Sequence, residues 1–304
     1  MFKNVIVGVD EHEGGRDAIA LAQHLVDKGG QLTLTHVHHG YAMSVPSPNP
    51  DYRVEEHDRA LALLTTAREE SGVPAELRPI GAPSVGRGLH ELAEALGADL
   101  LIVGSTRRGA IGRVLVGDQT RHALVGAPCA VAIAPAGYSE HPALMREIGV
   151  GYDGSAQTRH AFDVARTLAA EHGAKLSAFE AVFIPRHLFI RGRSQPDASI
   201  DDLLKQARER IAALGEVEPH VAYGHPAEEL ALYGASLDLL VLGSRGYGPV
   251  ARLGYGSTSR QLAHTARCPL LVLTRVPQTD ETPDASGAGR ASLTTGDAAG
   301  APTP

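Results

Sequence analysis

The chain has 304 residues, 43% of them hydrophobic and 21% charged, with a formal net charge of −7. That is the balance of a globular protein with room for two domains, and the acidic excess argues against a nucleic-acid-binding surface. Two cysteines, Cys129 and Cys268, make neither a disulfide framework nor a zinc knuckle, and no apolar run approaches the roughly 20 residues of a membrane span. The start, MFKNVIVGVD, turns polar too soon for a signal peptide, so a cytoplasmic protein with no membrane or nucleic-acid partner is expected.

In chain order, the first element is a β-branched strand, Val5–Val9, ending against Asp10. Ala18, Ala22 and Leu25 then follow at helical spacing. A second strand covers Leu32–His38, and a Pro-rich loop leads to a helix over about 52–71. The third strand, Ala75–Ile80, is short. A helix begins near the Gly81-Ala82-Pro83 signal, where proline suits a first turn. The fourth strand, Leu100–Val103, is wholly apolar, as for a strand covered on both faces. After a glycine-rich loop and a helix, Ala130–Ala134 closes the unit.

The same order then runs again. VIVGVD (5–10) returns as IGVGYD (148–153), ADLLIVGS (98–105) as LDLLVLGS (237–244), and GAP (81–83) as GHP (224–226). An offset of about 140 is a duplicated domain, too long for a solenoid repeat. The second copy has strands at Ile148–Tyr152, Leu176–Phe183, Val217–Tyr223, Leu239–Leu242 and Leu270–Thr274, with a helix over about 200–214. The expected units are 1–135 and 147–275, joined by a linker 136–146. The segment 276–304 lacks large apolar residues and is expected to be a disordered tail.

Strand alternating with helix predicts an α/β fold, two tandem doubly wound parallel sheets. Such sheets take ligands outside the carboxyl ends of their strands, where strand order reverses. The loops after strands one and four are therefore the candidate site. In the second copy, strand four runs into Gly243-Ser244-Arg245-Gly246, and Gly256-Ser257-Thr258 follows at the spacing G-x2-G-x9-G-S-T. Glycines let the backbone approach an anion closely, successive N–H groups form a nest, and a helix beginning at Ser257 would aim its positive end at the same place. Asp153, at the end of strand one, can accept hydrogen bonds from sugar hydroxyls or help hold a metal.

These residues resemble the universal stress protein family, whose ATP-binding members carry G-x2-G-x9-G-(S/T). The resemblance extends over 147–275 and, along its length, over 1–135. It implies two Rossmann-like, adenine nucleotide alpha hydrolase-like units, each a five-stranded parallel sheet of order 3-2-1-4-5. ATP, with or without Mg, would lie between strands one and four. It assigns nucleotide-binding roles to Asp153, Gly243, Gly246, Gly256, Ser257 and Thr258, with Arg245 adding charge and the Ala181 backbone meeting adenine.

The first copy keeps Gly104 and Gly117 but has Arg107 and Asp118 where the second has Gly246 and Ser257. Asp118 is a good helix cap and would occupy the anion site itself. The rival reading keeps a nucleotide there, on Asp10, Val37, Gly104 and Gly117, with Arg107 and Arg108 compensating. The resemblance also implies pairing of units through the fifth strand. Here that would give an intramolecular pseudo-dimer, with a homodimer of chains as a further state.

His36 and His38 share a strand face, but no third metal ligand stands at a suitable spacing, so no metal site is expected. The Glu/Arg-rich stretch 53–70 reads as the wet face of a helix. The functional expectation is an ATP-binding regulator of a stress response, with at most slow hydrolysis. The alternative is an ATP-hydrolysing or adenylating enzyme, but no G-x-x-x-x-G-K-[ST], SGGxDS or HxGH motif is present.

Overall fold

Each copy lays its strands side by side in the order 3-2-1-4-5, and the two sheets are continuous with one another. The computed structural model describes residues 2–39, 52–105, 125–183, 199–244 and 257–273. The first repeat comprises β1 (Phe2–Gly8), α1 (Glu13–Leu25), β2 (Val26–His39), α2 (Tyr52–Ser71), β3 (Glu76–Ala82), α3 (Val85–Leu96), β4 (Leu100–Gly104) and β5 (Ala130–Ala134). The second comprises β6 (Glu147–Gly151), α4 (Ala156–His172), β7 (Lys175–Val182), α5 (Ile200–Ala212), β8 (Glu218–Tyr223), α6 (Pro226–Tyr233), β9 (Leu239–Gly243), α7 (Ser257–Thr265) and β10 (Leu270–Leu273). Gly117, Arg245, Gly246 and Gly256, together with Arg107, Asp118 and the segment 276–304, lie outside the described residues.

The sheet has ten strands in the order β3-β2-β1-β4-β5-β10-β9-β6-β7-β8. Pairing within each repeat is parallel. At the junction β5 and β10 run antiparallel, with Leu270 opposite Ile133, Leu271 opposite Ala132 and Val272 opposite Val131. The central strands β4 and β9 are buried on both faces from Leu100 to Val103 and from Leu239 to Leu242, which accounts for their unbroken apolar runs.

One apolar cluster joins Leu34, Ala132 and Ala134 of the first repeat to Ile148, Leu271 and Leu273 of the second. On the opposite face, Val131 and Ile133 share a cluster with Leu270 and Val272. Both layers of core therefore cross the repeat boundary.

Local chemistry sets the element ends, and the repeats use it twice. Asp99 accepts hydrogen bonds from the Lys3 and Asn4 amides at the start of β1, and Asp238 does the same for Arg146 and Glu147 at β6. Ser84 caps α3 and Ser155 caps α4, each accepting an amide of the first turn. Gly97 and Gly173 close those helices at φ 59° and 63°, where a side chain would be strained.

The strand β2 begins earlier than the predicted Leu32. Val26 already pairs with Phe2, and the register slips before Gln31 meets Asn4. Gly30 makes the slip possible, since a Cβ there would lie 2.9 Å from Val26 Cγ2 and 3.1 Å from the Phe2 carbonyl oxygen.

The segment between the repeats is pinned rather than loose. Asp17 of α1, only 1% exposed, accepts hydrogen bonds from the Gly137 amide at 2.9 Å and from the Ser139 amide and hydroxyl at 2.7 Å. Tyr138 and Met145 of the same segment are buried in the core shared by the two repeats.

Candidate functional site

At the carboxyl end of β6 the chain turns through Asp153 and Gly154 into α4. Asp153 Oδ1 accepts from the Ser155 amide and from Thr158 Oγ1, both at 3.0 Å. Ser155 Oγ in turn accepts from the Thr158 amide at 3.3 Å. The carboxylate thus stands at the N-terminus of a helix, where the helix dipole favours negative charge. In the first repeat Asp10 Oδ1 accepts from the His12 and Gly15 amides at 3.1 and 3.2 Å, an equivalent arrangement.

Gly243 ends β9 directly beneath the first turn of α4. A Cβ at Gly243 would lie 2.6 Å from the Gln157 carbonyl oxygen, and one at Gly104 would collide with Gly14. The first glycine of the loop motif is therefore required by helix-on-strand packing in both repeats. The same close approach brings the Asp153 turn alongside the start of the glycine-rich loop. That loop leads to α7, whose first residue is Ser257, with Thr258 half-buried in the first turn. Leu262 and Ala263 anchor this helix in the core.

Ala181 lies in β7 beside Ala222 of β8, half-buried, and Val37 occupies the matching place in β2 beside Ile80. In the first repeat a small cleft opens between the ends of β1 and β4. Its walls include Val37, Val85, Leu89 and Val103, and its rim includes Asp10 and Gly104. Apolar walls with one carboxylate at the rim suit a flat heterocycle joined to a hydroxylated ring. The structure thus brings Asp10, Val37 and Gly104 together in one cleft, and sets Asp153 and Gly243 on adjoining turns.

Two further residues belong to this end of the second repeat, and no motif announced them. Arg210 of α5 donates from Nε and Nη2 to the two carboxylate oxygens of Glu180, at 3.1 and 2.6 Å. That hydrogen bonding, helped by the charges of Glu180, Tyr152 and Asp153, holds the guanidinium above its ordinary value. The partners are 30 residues apart on different elements, so only the fold reveals the pair.

His36 points Nδ1 at the Val9 carbonyl oxygen, 2.8 Å away. No group of three or more His, Cys, Asp or Glu among the described residues has the arrangement of a metal centre. Cys129 and Cys268 are buried, and burial pushes both thiols up to about 12, far from the thiolate that reactivity requires. No helix of the described residues is long and apolar enough to cross a membrane.

The model of the universal stress protein family matches residues 1–135 and again residues 145–274. The chain belongs to the universal stress protein family. A universal stress protein of Mycobacterium tuberculosis is 30% identical over 182 residues, which are 58% of this chain and 61% of that relative. The alignment therefore leaves more than a third of the relative's length unmatched. One from Thermus aquaticus is 29% identical over 143 residues, 43% of this chain and 99% of its own. The solved structure of a universal stress protein from Archaeoglobus fulgidus superposes with a TM-score of 0.64 at 20% identity, over 90% of this chain and 98% of that one. At that identity the likeness concerns the fold: a tandem pair of universal stress protein units.

Proposed function

We propose that this universal stress protein is an adenine-nucleotide-binding regulator of a stress response, acting in the cytoplasm, with ATP held mainly by the second repeat. One observation carries the reading. The Asp153 turn abuts Gly243, and from Gly243 the motif runs through Gly246 and Gly256 to a helix that begins at Ser257. A carboxylate for sugar hydroxyls and a helix N-terminus for phosphate are thereby carried on adjoining segments. In the first repeat the motif has Arg107 and Asp118 at two of its positions, which supports weak or absent triphosphate binding there.

The donor set suits ATP with or without Mg. Asp153 would face the ribose, the Ala181 backbone the base, and Gly243, Gly246, Gly256, Ser257, Thr258 and Arg245 the phosphates. When bound, the nucleotide would supply a charge and a contact surface that its absence removes. The β5–β10 pairing supports reading one chain as a complete pseudo-dimer, with further association of chains measured by solution mass.

The full-length protein should release an adenylate on denaturation, identified by mass spectrometry, and should be heat-stabilised by added ATP. Gly246→Arg should abolish both. Loss of neither would refute the assignment to the second repeat. Turnover above about 1 s⁻¹ that Gly246→Arg removes would instead make the protein an enzyme.

A further inference from the structure

The geometry points to Arg210 as the residue that positions the nucleoside end of the second-repeat site. The inference rests on the nucleotide reading above.

Arg210 touches two segments at once. Its guanidinium forks onto Glu180, which is 8% exposed and immediately precedes Ala181. Its stem lies over Gly154, the residue after Asp153: a Cβ at Gly154 would be 3.2 Å from Arg210 Cδ. Gly154 sits at φ 79°, in the left-handed region, so the turn is shaped for this close cover. One side chain thus ties the end of β7, with Ala181, to the turn carrying Asp153. A planar fork fixes orientation as well as distance, which a lone charge would not.

Among the described residues the first repeat lacks this tie. The Val9 amide bonds the Thr35 carbonyl and the Tyr152 amide the Phe179 carbonyl, so His36 stands where Glu180 stands. His36 turns to the Val9 carbonyl instead. The face of α2 toward the Asp10 turn offers Leu63, Thr66, Ala67 and Glu70 along a groove, and Glu70 pairs with Arg16 of α1 at 2.8 Å rather than with β2. In the first repeat a groove bordered by the Arg16–Glu70 pair stands where the second has the Arg210–Glu180 fork. The repeats therefore differ at the nucleoside end as well as in the phosphate loop. Arg210 acts by holding Asp153 and Ala181 in mutual register before the ligand arrives, which reduces the ordering required on binding.

The test uses full-length Arg210→Met, which keeps the apolar stem and removes the fork, with calorimetric titration of adenosine, AMP and ATP. Affinity for all three should fall about tenfold, leaving their ratios unchanged, because the defect lies at the end they share. Gly246→Arg should weaken ATP and spare adenosine. Arg210→Lys should fall between wild type and Arg210→Met. Glu180→Gln combined with Arg210→Met should be no worse than Arg210→Met alone. Hydrogen exchange at the Gly154 and Ser155 amides should quicken in Arg210→Met.

Binding of all three ligands within about twofold of wild type would overturn the proposal, as would a loss confined to ATP. A wild-type chain that binds none of the three refutes the nucleotide reading. The positioning claim then falls or stands on exchange at Gly154 and Ser155, and unchanged exchange overturns it. If Arg210→Met does not fold, Arg210→Lys carries the same comparison.

Discussion

Gly104 and Gly243 each end a central strand under the first turn of the helix that follows strand one, and a methyl group at either place would meet backbone that cannot move aside. The loop pattern alone points to phosphate approach for these glycines. Their geometry adds a packing requirement, which is why the first glycine persists in the copy whose later motif positions have changed. Asp10 and Asp153 were legible as strand-end carboxylates. Their use of Oδ1 to organise a helix start was not, because it depends on amides that only the turn brings together. At the same scale, His24 ends α1 against α4, with His172 Nε2 2.9 Å from the His24 carbonyl oxygen. Burial, then the His172 charge, lowers the pKa of His24 below 6.5, and Asp238 only partly opposes this. The folded state thus binds fewer protons at this site than the unfolded chain. The contribution is complete above pH 6.5 and is lost as pH falls below it. Urea midpoints should drop between pH 7 and pH 5, and the drop should be shallower for His24→Gln. Equal slopes for the two proteins would contradict the assignment.

Among elements, strand existence was readable throughout, since each apolar run lies on a strand of the sheet. Strand ends were less so. The early start of β2 runs through Lys28, Gly29 and Gly30, residues of poor strand propensity, and is dictated by the register slip against Phe2. The segment after β5 offered only Gly137 and Pro142 as punctuation, and nothing in its composition marks it as anchored. Asp17 anchors it, from 120 residues away. Removing that carboxylate leaves two amides and a hydroxyl of the half-buried Gly137 and Ser139 without their acceptor. Asp17→Ala should destabilise the chain by about 3 kcal/mol in urea unfolding, and Asp17→Asn by less, because one acceptor survives. Proteolysis should also begin within 136–146 in Asp17→Ala at protease levels that leave the wild type intact. If the two proteins are cut at the same rate, the anchor contributes nothing.

For the whole molecule, duplication was the most legible feature, because matching strings in matching order need no structure to be seen. That the copies share one sheet was legible only as the family's habit of pairing. Glu180 with Arg210 was not legible at all, for neither residue belongs to a spacing pattern. Since both cores cross the boundary, the repeats should unfold together despite the length of the chain. Calorimetry should give one transition whose van't Hoff and calorimetric enthalpies agree. Leu271→Ala, at a fully buried junction position, should lower stability by about 3 kcal/mol and move that single transition without splitting it. Two resolved transitions would mean that the boundary is a contact between independent bodies.

The antiparallel meeting of β5 and β10 has an evolutionary corollary. Two separate identical chains joined along this edge would be symmetric by construction, and any substitution in one loop would appear in its mate. Covalent fusion of the halves breaks that bond of inheritance. Arg107 and Asp118 can stand in one half while Gly246 and Ser257 stand at the matching positions of the other, so a single gene lets the two loops diverge independently.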